Sequence, residues 1–193
     1  MNPDRESLYR ALSNGAWGYL FLNFDLNIGT VSVTPRFVGW LRFVAAIRDL
    51  SPERRDLALL RPLALLLAAW SGADWLLSWV HGSVGGHILF LDLLMAAAAI
   101  YFHFQFLTDL AALAQLRQPE GGSLDCRLRR RRTVYILLTT GVSVLMHLSG
   151  GRYAGFQGYA ALGLSAAALI TALCIMAGVF ELRGLFREEQ AQA

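Results

Sequence analysis

The sequence has little charge for its length, and it has no lysine. Charged residues make up 16% of the 193 residues, against roughly 25% in soluble globular domains, and all 17 basic residues are Arg. Hydrophobic residues make up 55%, and the mean hydropathy is positive. This balance argues against a soluble domain and predicts a polytopic membrane protein, with residues 1–193 forming a single membrane domain.

Cysteine is also scarce. Cys126 adjoins an arginine run and Cys174 lies inside an apolar segment, so a disulfide between them is not expected. The sequence contains no Cys-x-x-Cys pair and no His-Glu-x-x-His motif. Because no catalytic signature is present, the sequence favours a non-enzymatic protein and predicts no cofactor.

Four long apolar runs are present. Each approaches or exceeds the ~20 residues that cross ~30 Å of hydrocarbon as a helix. They lack the alternation of barrel strands, and only helices and closed barrels satisfy their backbone groups in lipid. The sequence therefore predicts an all-α integral membrane four-helix bundle over residues 58–181, with spans at 62–80, 87–107, 133–150 and 156–180.

Arginines are concentrated in alternate connections between these runs. The connections before the first run, between the second and third, and after the fourth hold Arg48, Arg54, Arg55, Arg61, Arg117, Arg127, Arg129 to Arg132, Arg183 and Arg187. The other two connections hold Arg152 alone. The positive-inside rule then predicts a multi-pass protein of the bacterial cytoplasmic (inner) membrane with both termini in the cytoplasm.

The arginine run at 129–132 also predicts a partner. A juxtamembrane cluster of this kind contacts the anionic headgroups of a lipid bilayer. It lacks the interleaved aromatic residues of a nucleic-acid surface, so nucleic-acid binding is not expected.

A polar, turn-prone stretch interrupts the apolar sequence near the N-terminus. In NFDLNIGTVSVTP, residues 23–35, polar and apolar residues alternate on both sides of Gly29. This pattern predicts a small hairpin or an extended elbow between two short apolar pieces. Because those pieces are short for spans, residues 1–50 are expected to form a re-entrant or interfacial helical element beside the bundle.

The segment GYLFLNFDLNIGTVSVTPRFVGWL resembles the N-terminal signature of an uncharacterised family of small bacterial multi-pass membrane proteins. The signature is an aromatic-rich run, Asp-x-Asn-x-Gly-Thr, a few alternating residues, Pro, and Gly-aromatic-Leu. Its defined positions match Asp25, Asn27, Gly29, Thr30, Pro35, Gly39 and Trp40. The resemblance implies membership of such a family and brings no known activity with it.

Ionisable residues inside apolar runs are costly in lipid and are therefore candidates for function. With a helical rise of about 1.5 Å per residue, Asp74, Asp92 and His147 fall in one depth band near the extracytoplasmic surface, where His81 and His87 flank a short loop. These five residues form a candidate proton or polar-substrate site. The simpler interpretation, that they meet interfacial water or join neighbouring helices, stays open.

Metal binding is a further use of the same residues. Asp74, Asp92 and His147 could supply three ligands to a divalent metal such as zinc. His103 is predicted nearer the opposite surface, too far from His147 for both to ligate one haem iron.

The sequence supports two functions from different classes. The first is a non-enzymatic binding, interaction or accessory membrane protein that acts on a lipid, a membrane protein partner or a second copy of itself. The small residues Gly155, Gly163, Ala167 and Thr171 suit either packing within the monomer or a homo-oligomer. The alternative is a small transporter or membrane enzyme that uses the Asp/His cluster for proton or metal binding.

Overall fold

The computed structural model describes residues 3–24, 27–28, 31–32, 35–79, 89–148 and 156–191. Helices make up nearly all of this part of the chain, which confirms the all-α prediction. The elements are α1 (Pro3–Asn23), β1 (Asn27–Ile28), β2 (Val31–Ser32), α2 (Arg36–Leu50), α3 (Arg55–Ala58), α4 (Leu60–Ser78), α5 (Leu89–Arg117), α6 (Leu124–Leu148) and α7 (Phe156–Ala191).

Three helical stretches of the described chain are long and apolar enough to cross a membrane. They cover Arg55–Leu77, Phe90–Arg117 and Gly158–Phe186, with mean hydropathies of 1.3, 1.6 and 2.2. Less than a third of the most apolar part of each stretch is buried inside the protein, so these helices present a wide apolar surface. A surface of this kind needs lipid around it, and the chain is a membrane protein.

The polar stretch near the N-terminus forms a small antiparallel hairpin. Asn27 pairs with Ser32, and Ile28 pairs with Val31. The predicted hairpin is confirmed at these positions, while residues 25–26, 29–30 and 33–34 lie outside the described part. On its N-terminal side, α1 begins at Pro3, well before the apolar piece that starts at Gly15, so two substantial helices flank the hairpin.

Helices α1 and α2 approach each other closely at two glycines. A Cβ at Gly39 would lie 3.0 Å from the Leu22 side chain and 3.1 Å from the Gly18 carbonyl oxygen. A Cβ at Gly18 would lie 2.9 Å from the Phe43 ring. Because neither position has room for a side chain, the two glycines set the separation of α1 and α2.

The six long helices contact one another in a closed ring, in the order α1, α2, α4, α5, α6, α7 and back to α1. Arg127 binds Glu181 near the start of α6, and Gly141 lies beside Leu164 farther along, so α6 and α7 are antiparallel. The starts of α4 and α6 share one end of the ring with the ends of α2, α5 and α7. We call this the arginine-rich end and the opposite one the far end.

The arginine run at the start of α6 binds the neighbouring helices. Arg131 donates to the Cys174 carbonyl oxygen of α7 at 2.7 Å, and Arg132 donates to Thr108 Oγ1 of α5 at 2.6 Å. The Arg132 guanidinium also lies 4.3 Å from the centre of the Phe104 ring. The run therefore joins α6 to both neighbours, in addition to its predicted role in topology.

The N-terminal helices are tied to the same end of the ring by two further arginines. Asp109 of α5 is 1% exposed and accepts hydrogen bonds from Gln105 and from Arg54, which lies between α2 and α3. Arg54 is only half-buried, and its contact with Asp109 joins the turn after α2 to α5. Arg183 of α7 donates to Ser13 Oγ of α1 at 3.0 Å.

Substitution of Gly39 by Ala is expected to lower the thermal stability of the protein, because the added methyl group meets Leu22 and the Gly18 carbonyl oxygen. Overpacking of this kind costs roughly 1–3 kcal/mol. Gly163→Ala is the matched control, since nothing lies within 4 Å of the added Cβ and alanine favours the helix. Thermal unfolding of both variants in one detergent tests the pair. Equal unfolding midpoints would contradict the close packing of α1 against α2.

Candidate functional site

The residues of the predicted Asp/His site are only partly described. Asp74 lies in the last third of α4 and Asp92 in the first turn of α5, so both carboxylates are on far-end portions of their helices, and both are half-buried. His81 and His87 lie outside the described residues. His147 lies in the last turn of α6, where only the backbone is described. The predicted site is therefore not tested.

The predicted metal site depends on the same residues. Among the side chains that the structure describes, no group of three His, Cys, Asp or Glu residues is placed to hold a metal ion. Since the imidazoles of His81, His87 and His147 are not among those side chains, the metal site stays a prediction.

A cavity of about 510 Å³ lies inside the ring of helices. All six long helices line it, from His103 in the middle of α5 to Met95 and Met146 nearer the far end. Its volume falls in the range of small-molecule sites, roughly 300–1,000 Å³. The walls that belong to α4, α5, α6 and α7 are mainly apolar, with Leu67, Met95, Ala99, Ile100, Val142 and Leu169.

His103 lies at the end of the cavity that is farther from Met95 and Met146, which we call the floor. Aromatic rings enclose it there. Five ring centres lie 5.4 to 5.9 Å from the centre of the imidazole, those of Tyr19, Trp40, Phe43, Phe102 and Tyr135. We call these five residues the aromatic cage. They come from α1, α2, α5 and α6, and they leave His103 only 6% exposed.

Two polar atoms in this cluster are buried without a hydrogen-bond partner among the described residues. They are His103 Nδ1 and the Tyr19 hydroxyl. Leaving a buried polar group unpaired costs roughly 1–3 kcal/mol, and such groups are rare in native interiors. The exposed part of His103 faces the cavity, which leaves Nε2 as the ring nitrogen that a ligand can reach.

A short chain of hydrogen bonds crosses the floor beside His103. The Tyr135 hydroxyl donates to Asn23 Oδ1 at 3.2 Å, and Asn23 Nδ2 donates to the Tyr19 carbonyl oxygen at 2.9 Å. Asn23 is the last residue of α1, and Arg36 is the first residue of α2; both line the cavity. The first residue of the polar N-terminal stretch and the residue that directly follows it thus both supply polar groups to the cavity.

Polar groups are concentrated at the floor and on the side of the N-terminal helices, while the other walls carry three serines among apolar residues, Ser71, Ser143 and Ser165. Asn23, His103 and Tyr135 lie at the floor, and Arg36 lines the side that belongs to the N-terminal helices. Thr139 also lines the cavity, but its hydroxyl donates to the Tyr135 carbonyl oxygen of its own helix. This arrangement suits a molecule with one polar end and an apolar body. The aromatic cage contains no carboxylate or thiolate, and the imidazole of His103 can exchange a hydrogen bond with a group in the cavity.

Sequence position alone directs attention to the Asp/His band and away from His103. A signal for His103 was nevertheless present, because an ionisable residue in the middle of an apolar run is itself a functional candidate. The enclosing rings come from residues far apart in the chain, and no local pattern joins Tyr19, Trp40 and Tyr135.

No protein-family model, no curated protein and no solved structure matches the chain.

Proposed function

We propose that the protein is a non-enzymatic membrane protein that binds an amphipathic, lipid-soluble ligand in the cavity between its six long helices. The observation that carries the proposal is the cavity of about 510 Å³, which is mainly apolar and has its larger polar groups at the floor and on the side of the N-terminal helices. Sites of this kind bury most of a ligand's surface and use a few polar groups to orient it.

The proposal includes a fourth membrane span, formed by α6. This helix packs between α5 and α7, which contain two of the candidate spans. A helix that packs antiparallel to a span shares its depth, and residues 133–148 of α6 carry no Asp, Glu or Arg. The arginines that lower its hydropathy lie in its first turns, where all but Arg130 bind neighbouring helices.

In this proposal α1, the β-hairpin and α2 together form a re-entrant element that enters from the arginine-rich end. The start of α2 lies beside the far half of α4, where the Phe37 and Trp75 ring centres are 5.6 Å apart. The first half of α1 lies at the arginine-rich end, where the Arg183 guanidinium is 4.4 Å from the Tyr9 ring centre. A chain that enters and leaves at one end, with its turn beside a span, fits insertion from one side of a bilayer.

The orientation follows from the arginines. We place the arginine-rich end and both termini in the cytoplasm of a bacterial cell, because positive residues are retained on that side. Exposed arginines there, such as Arg130, would meet anionic headgroups of the inner leaflet.

This orientation predicts the labelling of cysteines in intact cells. The exposed thiol of Cys126 lies at the arginine-rich end and should resist a membrane-impermeant maleimide until the cells are opened. A Ser83→Cys substitution between α4 and α5 should be labelled in intact cells. Both measurements use a Cys174→Ala background, and the Ser83→Cys chain also carries Cys126→Ala. The reverse pattern would overturn the orientation.

Filling the cavity is expected to abolish ligand binding. Ala99 lines the cavity, whereas Ala97 on the same helix is exposed, so Ala99→Phe fills the cavity and Ala97→Phe does not. The probe is a dibrominated long-chain methyl ester in phospholipid vesicles, because bromine quenches nearby tryptophans and Trp40 and Trp70 line the cavity. Saturable quenching should persist in Ala97→Phe and disappear in Ala99→Phe. Equal quenching in both variants would place the ligand elsewhere.

A proton- or metal-dependent transporter or membrane enzyme is the second candidate. It is favoured by the positions of Asp74 and Asp92, which lie on the far-end portions of α4 and α5. Elemental analysis of the purified protein separates the two functions. Stoichiometric metal that is lost in Asp74→Asn and in Asp92→Asn would support the second candidate. Ligand binding that is unchanged by both substitutions, in protein without metal, would support the first.

A further inference from the structure

We infer that the ligand of the cavity is a neutral lipid-soluble alcohol or phenol, whose hydroxyl group exchanges a hydrogen bond with His103 at the cavity floor. The inference rests on the proposed function, because it requires that the cavity holds a ligand. It goes further by assigning the chemistry of the ligand's polar end and the residue that recognises it.

The first argument comes from the two nitrogens of His103. Nδ1 is buried without a partner, and the residue reaches the cavity through the rest of the ring. A neutral imidazole has one donor and one acceptor nitrogen, so Nε2 is one or the other, depending on the tautomer. A hydroxyl group can accept from Nε2–H or donate to a bare Nε2, and it therefore suits either form. A carbonyl or ether oxygen suits only one.

The second argument comes from Tyr135. Its hydroxyl proton is directed to Asn23 Oδ1, so its oxygen offers the cavity only acceptor capacity. The Asn23 amide in turn donates to the Tyr19 carbonyl oxygen. A ligand that hydrogen-bonds to the Tyr135 oxygen must therefore bring a donor. An alcohol or phenol brings one, while an ester, an ether or a carboxylate does not.

The third argument concerns charge. The groups that enclose His103 are the five rings of the aromatic cage, and none of them carries a charge that could balance an ionic head. Burial of an isolated ion in such surroundings is far more costly than burial of a hydroxyl group with hydrogen bonds. Arg36 lies about one helical turn from Trp40 on α2 and already has an interaction within the protein. An anionic head would be drawn to Arg36, away from the floor.

The apolar remainder of the ligand then lies against the other walls. Met95, Ala99, Ile100 and Val142 extend from the floor toward the far end along α5 and α6. A hydrocarbon or prenyl-like chain loses no hydrogen bonds on entering this space. The free energy of its transfer from lipid into the cavity is therefore close to zero. Selectivity therefore depends on the hydroxyl group and not on the chain.

The experiment compares three dibrominated C18 probes that differ only at the polar end: the alcohol, its methyl ether and the carboxylate. Each is titrated into vesicles that contain the full-length protein, and tryptophan quenching is recorded. A Trp40→Phe/Trp70→Phe protein gives the background from bulk lipid, because those two tryptophans line the cavity. The alcohol should reach half-maximal quenching at about a five- to tenfold lower mole fraction than the ether, as expected for one or two hydrogen bonds.

The same titrations in His103→Phe should show equal mole fractions for alcohol and ether, while saturable quenching persists. This variant should fold, because Nδ1 has no partner to lose and Phe keeps an aromatic ring inside the cage. Tyr135→Phe is the second variant, and it should reduce the preference for the alcohol in part. Gel filtration and circular dichroism of each variant establish that the fold is retained.

Other results overturn the inference in distinguishable ways. Equal mole fractions for alcohol and ether in the unmodified protein would refute a hydroxyl-specific site and leave cavity binding intact. Tightest binding of the carboxylate, lost in Arg36→Gln, would replace the alcohol by an anionic lipid. Quenching that never exceeds the Trp40→Phe/Trp70→Phe background, for any probe, would refute the proposed function itself.

Discussion

The close backbone contact between α1 and α2 is the constraint on which the rest of the structure depends. It exists because Gly18 and Gly39 present no side chains where the two helices cross. Each glycine is followed directly by a residue of the aromatic cage, Tyr19 or Trp40. The short helix separation brings the Tyr19 ring edge-on to Phe43, with centres 5.1 Å apart, and so completes the enclosure of His103. With larger residues at the crossing, the cage and the cavity floor would both open.

The floor of the cavity holds two unpaired polar groups beside the one imidazole nitrogen that a ligand can reach. His103 lies in the middle of an apolar helix with one nitrogen unpaired, and the Tyr19 hydroxyl beside it is also unpaired. These groups raise the free energy of the folded protein, because their hydrogen bonds to water are lost and not replaced. A ligand that bonds to Nε2 reaches neither of these two groups, so its affinity comes from the new hydrogen bond to Nε2 itself. A purely apolar occupant is disfavoured, because it would bury Nε2 as well without a partner.

The arginines have two physical roles that act at the same place. In the proposed orientation, their charge holds one end of the ring at the cytoplasmic surface of the membrane. Their planar guanidinium groups also bind across helices, as Arg132 does to Thr108 and to the Phe104 ring. Arginine is suited to both, because its donors are fixed in a fork and its weak hydration favours stacking on rings. The absence of lysine fits this double use.

Much of the fold could be predicted from local patterns. The all-α class, the apolar helices and the hairpin at Asn27 to Ser32 follow from hydropathy and from alternation, which neighbouring residues determine. The candidate site at His103 could not be predicted in this way. Its parts are Tyr19, Trp40 and Tyr135, which lie on three different helices, and the meaning of each depends on what faces it.

The sequence by itself determined that this chain is helical, that it belongs in a membrane and which helix ends carry positive charge, because each of these depends on the composition of a continuous segment. Only the tertiary structure decided where polar groups lose their partners and where a cavity remains. Those features depend on the distances between helices, and here two glycines and a set of interlocking rings determine them.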